Sequence, residues 1–311
     1  MEDRELVVVT GSSGFIGKHV CAALNRASRT FVGVDRAAPP NGAAYTHVTA
    51  ELRDMPAIRP LLAPWSGRSV IHLAAEAEVV TPWDQIPATF STNLNATWNV
   101  LTALETRLIV FPSTCSVYGT AERSQSLPRM SAVKPLSLYG ASKSMGEILL
   151  RDWATGNGAV AVIFRLGNVI GAGCRGLIPF LVGHAKKHPE GDVPAQLRGQ
   201  GKLLRDYTPV EYVVQAFQLA LDHNWKSGTS PIFNIGTGRG IDNREIAGMV
   251  TRVLERNGYR LQCNWDNPVP AGEAIRIVLN PDRLEHEFGL KAPSPEEVEK
   301  SVEESVLSHL K

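Results

Sequence analysis

An apolar run, Leu6 to Val9, leads straight into Thr10-Gly11-Ser12-Ser13-Gly14-Phe15-Ile16-Gly17, where a helical pattern begins. Few backbones satisfy such a sequence. A buried strand must end in a tight turn, and a helix must start against it. Glycines permit the turn and let the main chain approach a ligand closely. The opening helix offers free N–H groups and the positive end of its dipole to an anion. The spacing is Gly-x-x-Gly-x-x-Gly rather than Gly-x-Gly-x-x-Gly, but the physics is shared and a pyrophosphate suits it. Gly11, Ser13, Gly14, Phe15, Ile16 and Gly17 are therefore candidate cofactor contacts. The bland alternative is a strand–helix turn that binds nothing.

A second strand candidate, Phe31 to Val34, ends at Asp35. A carboxylate there can accept hydrogen bonds from both ribose hydroxyls and repels a 2′-phosphate, so the pattern predicts NAD rather than NADP. Arg36 follows, and a guanidinium can meet a phosphate or stack on adenine. Further strand candidates are Ser69 to Leu73, Leu108 to Pro112 and Val160 to Arg165, with helical stretches at 88–105 and 138–154. Such alternation predicts an α/β fold: a Rossmann-type, doubly wound parallel sheet covered on both faces by helices. From 171 to 210 the chain is rich in Gly, Pro and Arg with little periodicity. Phe233 to Ile235 is a short strand candidate, 242–256 a helix, and 295–310 a final charged amphipathic helix. The expected division is a cofactor domain over 1–167 and a smaller α/β substrate-binding cap over 168–311, with segments near 205–240 returning to the first.

Composition narrows the function classes. In 311 residues the formal net charge is +1, and basic residues are scattered. That balance gives no electrostatic footprint for nucleic acid. No run is long enough to span a membrane, and the N-terminus lacks the features of a signal peptide. Four dispersed cysteines, Cys21, Cys115, Cys174 and Cys263, suggest neither a disulfide framework nor a metal site. A cytoplasmic setting is expected.

Tyr139-Gly140-Ala141-Ser142-Lys143 places a phenol and an ammonium on one face of a helix whose start is signalled by Pro135 and Ser137. A nearby cation stabilises tyrosinate. The phenolate could then take a hydroxyl proton while a carbinol is oxidised. Alone, Tyr-x-x-x-Lys is a weak pattern. Here it is accompanied by Ser113, Thr114 and Ser116 at the end of a strand, the edge that faces the ligand crevice in open α/β sheets.

Together these residues resemble the extended short-chain dehydrogenase/reductases, specifically the NAD-dependent sugar epimerase/dehydratase family and its UDP-glucose 4-epimerase-like members. The resemblance runs from Val8 to about Leu290. It includes Glu51 to Asp54, Val70 to Ala75, Asn93 to Thr97, Ser113 to Gly119, Tyr139 to Lys143, Arg165 to Gly171, Arg205 to Tyr207 and Phe233 to Gly238. It implies a catalytic triad of Thr114, Tyr139 and Lys143. It implies NAD contacts at Glu51, Leu52, Leu73, Ala74, Ala75 and Asn93, with Lys143 also on the nicotinamide ribose. It implies substrate contacts at Thr114, Cys115, Ser116, Asn168, Ile178, Gln196, Leu197 and Arg205. Three departures stand out. Glu51 replaces the usual Asp. Pro270 stands where a second diphosphate-clamping Arg is common, and Arg276 is the candidate replacement. Cys115-Ser116 occupies the place of the Asp-Glu pair that serves 4,6-dehydration.

The reaction expected is redox-neutral epimerisation of a nucleotide sugar, at C4, through a transient 4-keto form. The alternative is a net dehydrogenase or reductase of a small alcohol or modified sugar. Dehydration and a non-catalytic dinucleotide sensor rank lower. The partner is a nucleotide sugar or another small hydroxylated molecule. His72 is read as structural, Cys115 as a packing residue, and His184 and His188 as solvated or structural. The run Glu296 to Lys300 reads as a solvated face, and Glu76, Glu78 and Trp83 as possible pocket walls. The helices near 88–105 and 138–154 resemble those through which the family forms homodimers, and Leu149 and Leu150 are compatible with that. The Asp35 reading predicts a lower dissociation constant for NAD than for NADP by titration; the reverse order overturns it.

Overall fold

The computed structural model describes residues 6–77, 83–120, 131–269 and 273–311. Glu78, Pro270, Ala271 and Gly272 lie outside the described residues, as does the side chain of Trp83. The first half alternates β1 (Val7–Thr10), α1 (Phe15–Arg26), β2 (Phe31–Asp35), β3 (Thr46–Thr49), α2 (Met55–Leu62) and β4 (Ser69–His72). Next come α3 (Ile86–Phe90), a π turn (Ser91–Asn95), α4 (Ala96–Leu104), β5 (Leu108–Thr114), α5 (Leu138–Asn157) and β6 (Val160–Leu166). The second half holds β7 (Asn168–Ile170), α6 (Leu177–Lys187), β8 (Ala195–Gln196), β9 (Leu204–Arg205), β10 (Tyr207–Pro209) and α7 (Val210–Asp222). It ends with β11 (Ile232–Ile235), β12 (Ile241–Asp242), α8 (Asn243–Arg256), β13 (Cys263–Asn264), β14 (Arg276–Ile277), α9 (Asp282–Phe288) and α10 (Pro295–Leu310).

Seven strands form one sheet in the order β11-β6-β5-β4-β1-β2-β3. β1 pairs in parallel with both β2 and β4. The chain therefore winds one way from β1 to β3 and the other way from β4 onward. The reversal lies between β1 and β4, the switch point at which a parallel sheet opens a crevice at its strand ends. β1, β4 and β6 are buried along their whole length, as helices on both faces require. β5 pairs with β4 only through Ile109 and Val110. Its last residues, Pro112 to Thr114, outrun that pairing.

By compactness the chain divides into two units of three segments each. One comprises Met1–Val117, Ser137–Arg165 and Val214–Phe233; the other comprises Tyr118–Leu136, Leu166–Val213 and Asn234–Lys311. In the first, Phe164 packs on Phe217 and Phe233, with ring centroids 5.4 and 5.7 Å apart. In the second, two strand pairs and a three-stranded sheet accompany a packed group of α6, α8 and α10. α10 is more than the solvated face its charges suggest. Ser301, Ser305 and Ser308 follow one stripe: Ser301 donates to the Ile170 carbonyl, while Ser305 and Ser308 accept from the amides of Gly171 and Gly173.

α5 is pinned to the sheet by a buried ion pair. Arg165 on β6 donates through Nε and Nη2 to Glu147 at 3.0 and 2.6 Å, and Ser113 on β5 donates to the same carboxylate at 2.5 Å. Glu147→Ala would remove the carboxylate that neutralises the buried guanidinium. We expect that variant to lose about 3–5 kcal/mol in urea unfolding, with Ser113→Ala losing far less.

Candidate active site

The turn after β1 has the geometry its glycines predict. Gly11 has φ +69°, and a Cβ there would meet the Ala74 amide nitrogen at 2.7 Å. A Cβ on Gly17 would run into the Gly11 carbonyl oxygen. The first glycine thus makes the turn beside the strand end of β4, and the third lets α1 pack onto it. Gly14 is the N-cap of α1, and no side chain caps the helix. Asp35, at the end of β2, accepts from the amides of Ser13 and Ala37, each at 2.9 Å. An uncapped helix start, glycine backbone and a carboxylate held at the neighbouring strand end suit a dinucleotide's pyrophosphate and ribose.

Arg36 reaches back to Glu76 at 3.1 Å. Glu51 is folded onto its own turn: Arg53 grips both its oxygens at 2.9 and 2.8 Å and holds its carboxyl below the usual range. Its longer arm, compared with Asp, is spent on that contact. Leu52 is buried, and its carbonyl accepts from Asn99.

Behind these residues runs a buried chain of hydrogen bonds. The Ala74 amide donates to the Thr10 hydroxyl, which lies 2.8 Å from His72 Nδ1; His72 Nε2 lies 3.0 Å from the Thr97 hydroxyl, which donates to the Asn93 carbonyl. Thr97 has one hydroxyl hydrogen, already given away, so His72 Nε2 must be the donor and Nδ1 the acceptor. Burial drives the His72 pKa down to about 3, with the nearby Lys143 charge adding to the effect. His72 is thus a neutral structural histidine, as read from the sequence. Asn93, in the π turn, gives its amide hydrogens to the Glu76 carbonyl and the Ser142 hydroxyl, and accepts from the Glu76 amide. One Oδ1 lone pair remains for any cofactor contact.

Thr114 ends β5, and the half-buried Tyr139 lies in the first turn of α5, which Ser137 caps through the Gly140 amide. The Tyr139 phenol is pushed above its ordinary range, first by burial, then by the Cys115 thiol, while its hydrogen bond with Thr114 opposes both. Lys143 is 4% exposed, and burial lowers its pKa to about 7 against the pull of Glu147. Cys115 is buried beside these groups, and Ser116 donates its amide to the Thr114 hydroxyl. The cluster can therefore remove or return one hydroxyl proton. It holds no carboxyl group at the two positions after Thr114.

In the other unit the expected substrate contacts are dispersed by burial. Asn168 and Gln196 are exposed, whereas Ile178 and Leu197 are buried. Arg205 donates to Glu273 at 3.0 Å and to the carbonyls of Leu204 and Ile275. β14 pairs in parallel with β9, Arg276 opposite Leu204 and Ile277 opposite Arg205. Arg205 and Arg276 therefore stand on opposite faces of that ribbon. Among the described residues no cluster of His, Cys, Asp or Glu could hold a metal, and no helix is long and apolar enough to cross a membrane.

Sequence reasoning missed Glu147 and the pinning role of Ser113 and Arg165. Tyr139, Lys143 and Glu147 fall at i, i+4 and i+8, so the signal was on the same helix face.

Residues 7–236 match the profile of the NAD dependent epimerase/dehydratase family. The chain is 30% identical over 314 residues to the UDP-glucose 4-epimerase of Azospirillum brasilense, covering 91% of this chain and 86% of that one. Its fold is similar to MoeE5 in complex with UDP-glucuronic acid and NAD, with a TM-score of 0.84 at 27% identity over 97% of this chain and 98% of that chain. It is equally similar to the UDP-glucose 4-epimerase of Thermus thermophilus in complex with NAD, with a TM-score of 0.84 at 25% identity over 98% and 99% of the two chains. The sheet order, the glycine turn and the matched profile converge: this chain is a member of the NAD dependent epimerase/dehydratase family.

Proposed function

We propose that this chain is an NAD-dependent nucleotide-sugar epimerase that inverts C4 through a 4-keto form of the sugar. The observation that carries this reading is the composition of the cluster at the end of β5. Thr114, Tyr139 and Lys143 suffice for moving one hydroxyl proton, while Cys115 and Ser116 lack the acid–base pair that elimination needs. The relatives named for 4-epimerisation support it.

In this reading NAD supplies a hydride acceptor that returns what it takes. Tyr139 removes the C4 hydroxyl proton and gives it back after the keto sugar has turned. Burial alone holds the phenol too high to do so, and the Thr114 hydrogen bond opposes that burial; a cation one helical turn on, at Lys143, would favour the phenolate further. Thr114 orients the hydroxyl that reacts. Gly11, Ser13, Gly14, Phe15, Ile16 and Gly17 hold the pyrophosphate, and Asp35 the adenosine ribose. Leu73 to Ala75, Leu52 and Asn93 shape the rest of the groove. Arg205 and Asn168 serve the diphosphate of the substrate, and Gln196 the edge of its base.

The Arg205–Glu273 contact favours a second reading, oxidation of a small alcohol, because a carboxylate already occupies the guanidinium. We also propose a cytoplasmic homodimer formed through α4 and α5. Leu150 lies in the core and is unavailable for it, but Trp98, Met145 and Ile148 expose 50%, 46% and 56% of their surface. The free cysteines fit a reducing compartment.

Incubated with UDP-sugars and followed by NMR, the protein should interconvert C4 epimers without net NADH. Tyr139→Phe should cut turnover by about 10²–10⁴-fold. Steady NADH production from an alcohol would favour the second reading instead. Ile148→Glu should convert the dimer to monomer in size-exclusion chromatography with light scattering; an unchanged mass would move the interface elsewhere.

A further inference from the structure

Lys143 is buried, yet its nitrogen rests on no carboxylate oxygen of the pin below it. Both oxygens of Glu147, one helical turn on, are engaged by Ser113 and Arg165. The group under the ammonium is a ring: Lys143 Nζ lies 3.9 Å from the centroid of Phe111 on β5. Such a distance is well inside the range over which an aromatic face attracts a cation.

The ring itself is tightly placed. Phe111 is wholly buried, and its plane lies within 16° of the His72 ring at a centroid distance of 6.2 Å. Its far edge abuts α5 at Gly146, where a Cβ would stand 3.0 Å from Phe111 Cζ. Only glycine leaves that slot open. The hydrogen-bond direction through Thr10, His72 and Thr97 keeps the imidazole uncharged, so no second cation competes for the ring.

We infer that Phe111 is a positioning residue for the Lys143–Tyr139 pair, its ring face holding the ammonium where an ion-pairing carboxylate would otherwise stand. The inference rests on the reading of Lys143 as the lysine that tunes Tyr139. Its physical sense lies in what each partner does to the field. A carboxylate in contact would hold the ammonium but cancel the charge that the phenol needs. An aromatic quadrupole attracts the ammonium and carries no net charge, so the full positive field still reaches Tyr139. The other groups facing Lys143 are accounted for. Tyr139 and Glu147 lie on its own helix, Arg165 on β6 neutralises Glu147, His72 on β4 is uncharged, and Cys115 follows β5.

The test weakens the ring while keeping its planar frame. 3,5-Difluorophenylalanine at position 111 withdraws charge from the face and leaves the Cζ–H that meets Gly146 in place. In the NAD-loaded enzyme the Lys143 titration is read from its 13C-labelled Cε resonance, beside the pH profile of kcat. Loss of the attraction disfavours the charged form, so the midpoint should fall by about half a pH unit to one unit. The alkaline limb of kcat should fall with it, while the melting temperature stays close to that of the parent. Phe111→Leu should show the same midpoint shift together with lower stability. An unchanged midpoint and profile in the difluoro enzyme, with Lys143→Met inactive, would reduce Phe111 to a packing residue. Full turnover in Lys143→Met would overturn the reading of the lysine and the role of Phe111 with it, whatever the fluorinated enzyme showed.

Discussion

The buried contact among Glu147, Arg165 and Ser113 fixes how α5 sits against the sheet. A parallel sheet places strand ends along a common edge but says nothing about how a covering helix is rotated against them. Here one carboxylate on α5 is gripped by β5 and β6 at once. Rotation or slippage of α5 would draw the carboxylate away from a buried guanidinium, which is costly. Tyr139 and Lys143 ride on the same helix face, two turns and one turn before the pin. Their register against Thr114 is therefore set by an interaction made two turns and one turn further along the helix.

Two cofactor-side features converge on the same helix. The glycine turn fixes the end of β1, and the Thr10–His72–Thr97 chain carries that position to the π turn. Asn93 then ties the π turn to Ser142, whose hydroxyl donates to the Tyr139 carbonyl. The glycine turn and α5 are thus connected by consecutive buried hydrogen bonds. A network of this kind is rigid only when every member is satisfied. Thr97, having already donated, must accept from His72, and this one constraint orients the rest.

Much of this was legible in the primary structure because local physics left little choice. Gly11, Gly14 and Gly17 dictate a turn, and the runs at β1, β2, β4, β5 and β6 are apolar enough to be buried on both faces. Tyr139 and Lys143 are found by their spacing. What escaped notice did so for definable reasons. β3 reads Thr-His-Val-Thr, a half-exposed edge with no apolar run. α6 begins after Gly176 and carries Pro179 in its first turn, where proline is tolerated but looks like a breaker. α7 is apolar on most sides, and only Glu211, Gln215 and Asp222 mark its exposed face. Burial of Ile178 and the engagement of Arg205 by Glu273 depend on contacts between segments distant in sequence. No pattern within either segment foretells them.

The order of the strands has a consequence for biosynthesis. Thr114, Tyr139 and Lys143 have all been made once the ribosome passes residue 143. The sheet that carries them is closed on the β6 side by β11, residues 232–235. Until that segment emerges, β6 presents bare amides and carbonyls, and Phe164 lacks Phe233, having lacked Phe217 as well until α7 was made. An open, apolar strand edge is a template for pairing with other chains. A fragment ending near residue 167 would carry Thr114, Tyr139 and Lys143 and still expose that edge. The nascent chain passes through the same condition while nearly seventy further residues are added, so this interval is where a chaperone would matter most.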